Sequence, residues 1–234
     1  GEPNRTIGFS VCLEDVLIKV SGALKLAGDP RLAPLKAHAS DFVAGFSYHD
    51  QMSGTPKRDE QGTRDRPYDL IVDFDKARID DALASLGVRP WPPPRPLVGV
   101  FVAMVQGGRS YIVTADGRQS ELQRDALRAA ADRRGIAIAL PDAAAVMKAS
   151  VDASQITTMP SADLAAMLPD PQVTLVGRLS WDDDALGWTT EWRLDGQGKP
   201  RSQSWRLGGV TFDEAFRRGL GGAAQILSGN GVPE

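Results

Sequence analysis

Residues 89–96 read Arg-Pro-Trp-Pro-Pro-Pro-Arg-Pro, five prolines in eight positions. Each proline fixes φ and removes a backbone donor, so this run can enter neither a helix interior nor a central sheet ladder. A chain of 234 residues divided in this way is expected to form two small domains, residues 1–88 and 97–234. The stretch between them is a stiff, extended seam. A proline-rich ligand motif is the alternative reading of the same residues. Trp91 is expected to pack across the junction and set the orientation of the two domains.

Before the seam the pattern reads α-α-β-β-α. Ile7, Val11 and Leu17 or Ile18 recur at helical spacing, and Ser21-Gly22 stops that helix. Gly28-Asp29-Pro30 and Pro34 make the next stretch a loop, with a second helix over about 34–45. Residues 46–52 read as a strand, and the polar stretch 53–67 as a long hairpin loop. In Tyr68–Phe74, Leu70, Val72 and Phe74 alternate with Asp69, Ile71 and Asp73, a strand pattern. Asp75 is placed to cap a helix over 76–86, whose stripe is Ile79, Ala82, Leu83 and Leu86 and whose stop is Gly87. Two strands alone make a marginal sheet, so a further strand upstream of Gly1 is expected. Opening on Gly1 rather than Met points to a processed precursor or an expression scar.

After the seam the expected order is β-β-α-β-α-β-β-β-α. Residues 97–105 are almost continuously apolar, as in a central strand, and Gly107-Gly108 turns them back into 110–114. Ser120-Glu-Leu-Gln123 has the form of a capping box for a helix lined by Leu122, Ala126, Leu127 and Ala130 and ended by Gly135. A short strand at 136–140, an unpatterned stretch at 141–154 and a short helix near 161–168 follow. Strands are expected over 173–181, 187–194 and 201–207, with turns at 182–184 and 195–199. Thr211-Phe-Asp-Glu214 is a second capping box, opening a helix that buries Phe212, Phe216, Leu220, Ala223 and Leu227. The fold class is therefore α/β (α+β), the second domain being a mixed sheet with helices packed mainly on one face.

Candidate chemistry is sparse. A net charge of −3 and the lack of a basic run give no electrostatic footprint for nucleic acid. No apolar stretch approaches the length of a transmembrane helix. The single Cys12 excludes an intrachain disulfide and reads as a small buried hydrophobe. His38 and His49, the only histidines, lack metal-ligand spacing, and no serine sits in a nucleophile elbow. Asp73 and Asp75 are accounted for by a solvent-facing strand position and a helix cap, and Asp182-Asp-Asp184 by a turn. Gly219-Leu-Gly-Gly222 lies inside a helical pattern, where it serves close packing rather than a phosphate loop. Trp181, Trp188, Trp192 and Trp205 alternate with polar residues, which places them on the helix-covered face. The opposite face then carries Arg178, Glu191, Arg193 and Arg206. No catalytic residue, cofactor or metal is assigned.

Several segments resemble a bacterial domain-of-unknown-function family, numbered 2066. They are the run from Leu13 to Gly22, Ala44-Gly-Phe-Ser-Tyr48, Leu70 to Asp75, the Leu86-Gly87, Pro90-Trp91 and Arg95-Pro96 junction, Val176-Gly-Arg-Leu179 and Gly187-Trp188. The C-terminal half is loosely similar to TolB N-terminal-like envelope domains. The resemblance implies an exported, periplasmic protein whose signal peptide has been removed, with no activity to carry over. The expected function is non-catalytic binding of another envelope protein or envelope component through the mixed-sheet domain. Trp91, Arg178, Glu191, Arg193 and Arg206 are the candidate partner or cleft residues. The alternatives are a hydrolase-type enzyme, using the acidic cluster or the histidines, and a small-ligand carrier at the domain cleft.

Overall fold

Twenty residues, with Pro3 in the first turn and Gly8 the one glycine, form helix α1, Glu2–Ser21. A computed structural model describes residues 2–51, 68–171, 173–196 and 202–234. The expected loop at 53–67, Met52, Arg201 and part of the turn at 195–199 lie outside the described residues. Two compact units emerge, Gly1–Ile18 with Leu26–Pro90, and Lys19–Lys25 with Trp91–Glu234.

In the first unit, α1 buries Phe9, Leu13 and Leu17, while Ile7 is 65% and Val11 53% exposed. The expected stripe therefore holds at Leu17 and Ile18, both buried, and fails at Ile7 and Val11. Phe9 decides the phase, because its ring packs edge-on against Phe46 with centroids 5.4 Å apart. The second helix is shorter and earlier than expected, α2 over Leu32–Ala37, with a 3₁₀ turn at Ala39–Phe42. The strand β1, Val43–Asp50, then starts three residues before the expected one. It pairs antiparallel with β2, Tyr68–Phe74. Asp75 caps α3, Lys76–Ser85, by accepting from the Arg78 backbone N–H at 3.0 Å, and Ile79, Ala82 and Leu83 are buried.

The second unit is built on a six-stranded mixed sheet. Its strands are β3 Val98–Gln106, β4 Arg109–Ile112, β5 Ile138–Ala139, β6 Val173–Asp182, β7 Gly187–Gly196 and β8 Gln203–Val210. The order is β4-β3-β6-β7-β8, with β5 added to the amino end of β3. β3 runs parallel to β5 and β6, and the remaining pairs are antiparallel. With neighbours on both sides, the apolar run is an internal strand, and Val98 to Met104 are buried.

Two long helices, α4 Glu121–Arg134 and α8 Phe212–Leu227, cover one face of this sheet. Met104, Leu127, Leu179, Trp192, Trp205, Phe216 and Leu220 share its core. Three short helices precede β6: α5 Ala143–Ala149, α6 Ala153–Ile156 and α7 Ser161–Ala165. Ala153, Ile156 and Leu164 pack on the other side of β3, β4 and β6, against Phe101, Ala103, Ile112 and Val176. The stretch read as unpatterned thus holds two helices, each announced by an aspartate cap, Asp142 and Asp152.

The expected box at Ser120 does not form. The Ser120 hydroxyl accepts from the Thr114 backbone N–H at 3.1 Å, so it ties the end of β4 instead of capping α4. Leu122, expected in the core, is 69% exposed, and Leu127, Ala130 and Ala131 take the buried side. At Thr211 the cap is made, its hydroxyl accepting from the Glu214 N–H at 3.2 Å. Glu214 itself turns to Arg217 and Arg218.

The glycines of α8 are sockets. A Cβ on Gly219 would fall 2.4 Å from Trp192 Cζ2, and one on Gly222 2.7 Å from Trp205 Cε2. From the opposite side, a Cβ on Gly177 of β6 would fall 2.3 Å from Trp192 Cζ3. The Trp192 indole therefore fits between strand and helix only because both positions lack side chains. Their role is packing, and the helix accepts glycines that cost about 1 kcal/mol each in propensity.

Candidate functional site

Period-two geometry sends alternate residues of β6, β7 and β8 to opposite faces. Trp188, Thr190, Trp192 and Leu194 of β7 are buried, which leaves Thr189, Glu191 and Arg193 for the other face. Register aligns Arg178 with Glu191 and Glu191 with Arg206, a row of alternating charge across three strands. The adjacent row is Val176, Arg193 and Ser204. Together with Val176 and with Thr157, which follows α6, the polar side chains of Arg178, Glu191, Arg193, Ser204 and Arg206 line a hollow of about 250 Å³.

The three arginines are not equivalent. Arg193 is engaged on all sides: its Nε donates to Asp195 Oδ2, its Nη1 to Thr157 O and its Nη2 to Met159 O, each at 2.8 Å. It binds the segment after α6 to β7. Arg206 Nη2 lies 2.9 Å from Glu191 Oε1 in a largely solvated pair, an arrangement that contributes at most about 1 kcal/mol. Arg178 is exposed and has no hydrogen-bond or ion-pair partner among the described residues. Three arginines and Glu191 line the hollow, and with Asp195 neutralising Arg193 from outside the lining one positive charge is left in excess. An arginine free of internal partners presents a planar fork of donors that matches a carboxylate.

Four of the five residues singled out from sequence thus meet on one surface. Trp91 does not line that hollow. Its indole packs against the core beneath α4 and α8 and lies under Arg95, whose guanidinium carbon is 4.2 Å from the ring centroid. Its backbone N–H donates to Val20 O at 2.7 Å. Thr157 and Asp195 were missed: Thr157 comes from a different element and carries no local signal, while Asp195 was read only as part of a turn.

The other candidates are dispersed. His38 and His49 are exposed, on the cap of α2 and on β1. Asp182 Oδ1 accepts from the Asp184 and Ala185 N–H groups at 2.9 and 3.1 Å, and Asp183 Oδ1 accepts from Trp181 Nε1 at 2.9 Å. Local turn bonds therefore occupy two of the three carboxylates, as a turn requires. Cys12 is half-buried and free, and burial, with Asp15 nearby, raises its thiol pKa. Among the described residues no three His, Cys, Asp or Glu side chains converge on a metal-sized site, and no helix is long and apolar enough to cross a membrane.

Residues 1–92 match the model of a family described as a domain of unknown function, DUF8605. An uncharacterised domain family is thereby supported for the first part of the chain, whereas the family numbered 2066 and the likeness to TolB gain no support. The match ends before the sheet that carries the hollow. No curated protein and no solved structure matches the chain.

Proposed function

We propose that the second unit is a non-catalytic binding module that takes up an acidic segment of another envelope protein at the exposed charged row of β6, β7 and β8. The observation that carries this reading is Arg178, an exposed guanidinium without a partner among the described residues, in a hollow with one excess positive charge. Carboxylates of an extended segment laid across the strands would meet Arg178 and compete with Glu191 for Arg206. The contacts are charge-assisted hydrogen bonds at a solvated surface, so binding is salt-sensitive.

A fluorescein-labelled peptide alternating Asp and Ser, titrated with the protein at low salt and followed by polarisation, tests this. The peptide is expected to bind saturably, an Asn-Ser counterpart to bind far less, and the double variant R178E/R206E to lose binding while keeping its circular dichroism. A flat titration, or equal binding by the folded double variant, sinks the proposal. What supports an exported, bacterial envelope location is the sequence resemblance. Recovery of the protein from the cytoplasmic fraction of its native cells would count against it.

A further inference from the structure

We propose that a second hollow, at the carboxyl end of β3, binds a small polyhydroxylated carboxylate, a sugar acid. The topology creates the place. From β3 the chain passes by β4 and α4 to β5, and from β5 by α5, α6 and α7 across to β6 on the other side of β3. α4 packs on the face of Met104 and Leu179, whereas α6 and α7 pack on the face of Phe101 and Val176. The two crossovers of this parallel trio thus lie on opposite faces. In open sheets that arrangement leaves a crevice beyond the carboxyl ends of the strands, where ligands bind.

A hollow of about 670 Å³ lies there, within the range of roughly 300–1,000 Å³ occupied by small-molecule sites. Met104, Tyr111 and Trp188 supply its apolar surfaces, and Gln106, Gln119, Gln123 and Arg109 its polar ones. No carboxylate lines it. Two of these groups define the ligand. Arg109 is exposed and, among the described residues, has no hydrogen-bond or ion-pair partner, so it is available to a carboxylate. Gln123 hydrogen-bonds Tyr111 through its side chain, yet its Oε1 is shut from water and accepts nothing. A buried acceptor without a donor is costly, and a turn of the Gln123 amide towards the hollow would bring it to a ligand hydroxyl. Gln106 and Gln119 offer further donor and acceptor pairs, which suit hydroxyls, themselves both donors and acceptors. The ligand therefore carries a carboxylate at one end, several hydroxyls, and an apolar face towards Met104 and Trp188.

The test is titration of the whole chain with glucuronate and gluconate, read by tryptophan fluorescence and by thermal unfolding, with glucose as the neutral control. Both acids are expected to perturb the fluorescence and raise the Tm in a saturable manner, with glucose much weaker. R109A, a change at an exposed side chain, is expected to weaken the acids about tenfold or more, and Q123A to weaken them further. The variant R178E/R206E is expected to bind them unchanged, which separates this site from the peptide surface. No response to either acid, an equal response to glucose, undiminished binding by R109A, or loss of binding in R178E/R206E would each overturn the proposal.

Discussion

Replacing Gly219 with alanine sets two effects of opposite sign against each other within α8. Helix propensity favours alanine by about 1 kcal/mol. Against it stands the Trp192 ring, three of whose carbons lie 2.4–2.7 Å from the new methyl position. Carbon atoms prefer separations of about 3.5–4.0 Å, so the ring must retreat by roughly 1 Å. It cannot do so freely, because the same indole already rests over Gly177 on β6, its cross-strand partner. Overpacking of this kind costs about 1–3 kcal/mol, and a ring confined on both sides belongs at the upper end. The net expectation for G219A is a loss of about 2 kcal/mol, or a fall in Tm of about 4–8 °C for a chain of this size. Urea denaturation followed by circular dichroism measures it, with G219A, W192F and the double variant completing a cycle. In the W192F background the methyl has room, and G219A should stabilise by up to about 1 kcal/mol. If G219A stabilises the unaltered chain, or costs the same in both backgrounds, the socket explanation for the helix glycines is wrong.

Two further outcomes follow from local geometry. Arg95 donates to Trp91 O at 2.8 Å, to Arg134 O at 2.8 Å and to Lys19 O at 2.7 Å, while its guanidinium stacks on Trp91. R95A leaves those carbonyls without their donor and should destabilise by about 2–4 kcal/mol in denaturant unfolding, with R95K recovering little; a loss under about 0.5 kcal/mol, the size of an ordinary surface change, would contradict the network. Burial raises the Cys12 thiol pKa, so at about pH 8.5, the ordinary thiol pKa, the folded chain holds less thiolate than the unfolded one. The sign for stability is the same: the advantage of the folded state is intact below the unfolded pKa and declines as pH rises through the folded one. Alkylation by iodoacetamide should be slower in the native protein than in urea, and equal rates would refute it.

The elements that sequence described well are those whose signal is local and strong. Alternation in Tyr68–Phe74 and in β7 identified both the strands and their faces, because one side of each carries acids or arginines and the other bulky apolar groups. Asp75 and Thr211 were legible as caps since each has only its own helix to serve. Ser120 shows the limit of that logic: a backbone N–H from Thr114, brought near by the β4 turn, outcompetes the helix for the hydroxyl. The amino half of α1 was misphased because Ile7 and Val11 match helical spacing as well as Phe9 and Leu13 do, and only β1 chooses between them; Leu17 and Ile18 are buried as expected. The helices α5 and α6 span seven and four residues, too short for a periodic pattern. The charged row was readable strand by strand, but which arginine lacks a partner depends on Asp195 and on carbonyls contributed after α6. The hollow beyond β3 was not readable, since its residues come from β3, β4, the turn ahead of α4, α4 and β7 and meet only through topology.

The most direct test of the binding account is a residue-resolved map of where an acidic peptide touches. Backbone amide shifts of the isotopically labelled protein, recorded during titration with the Asp-Ser peptide, supply it. The account predicts progressive shifts centred on Arg178, Glu191, Arg193, Ser204 and Arg206 and reaching Thr157, which fade as salt is raised and vanish in R178E/R206E. Shifts centred elsewhere in the chain, or none at all, would contradict it.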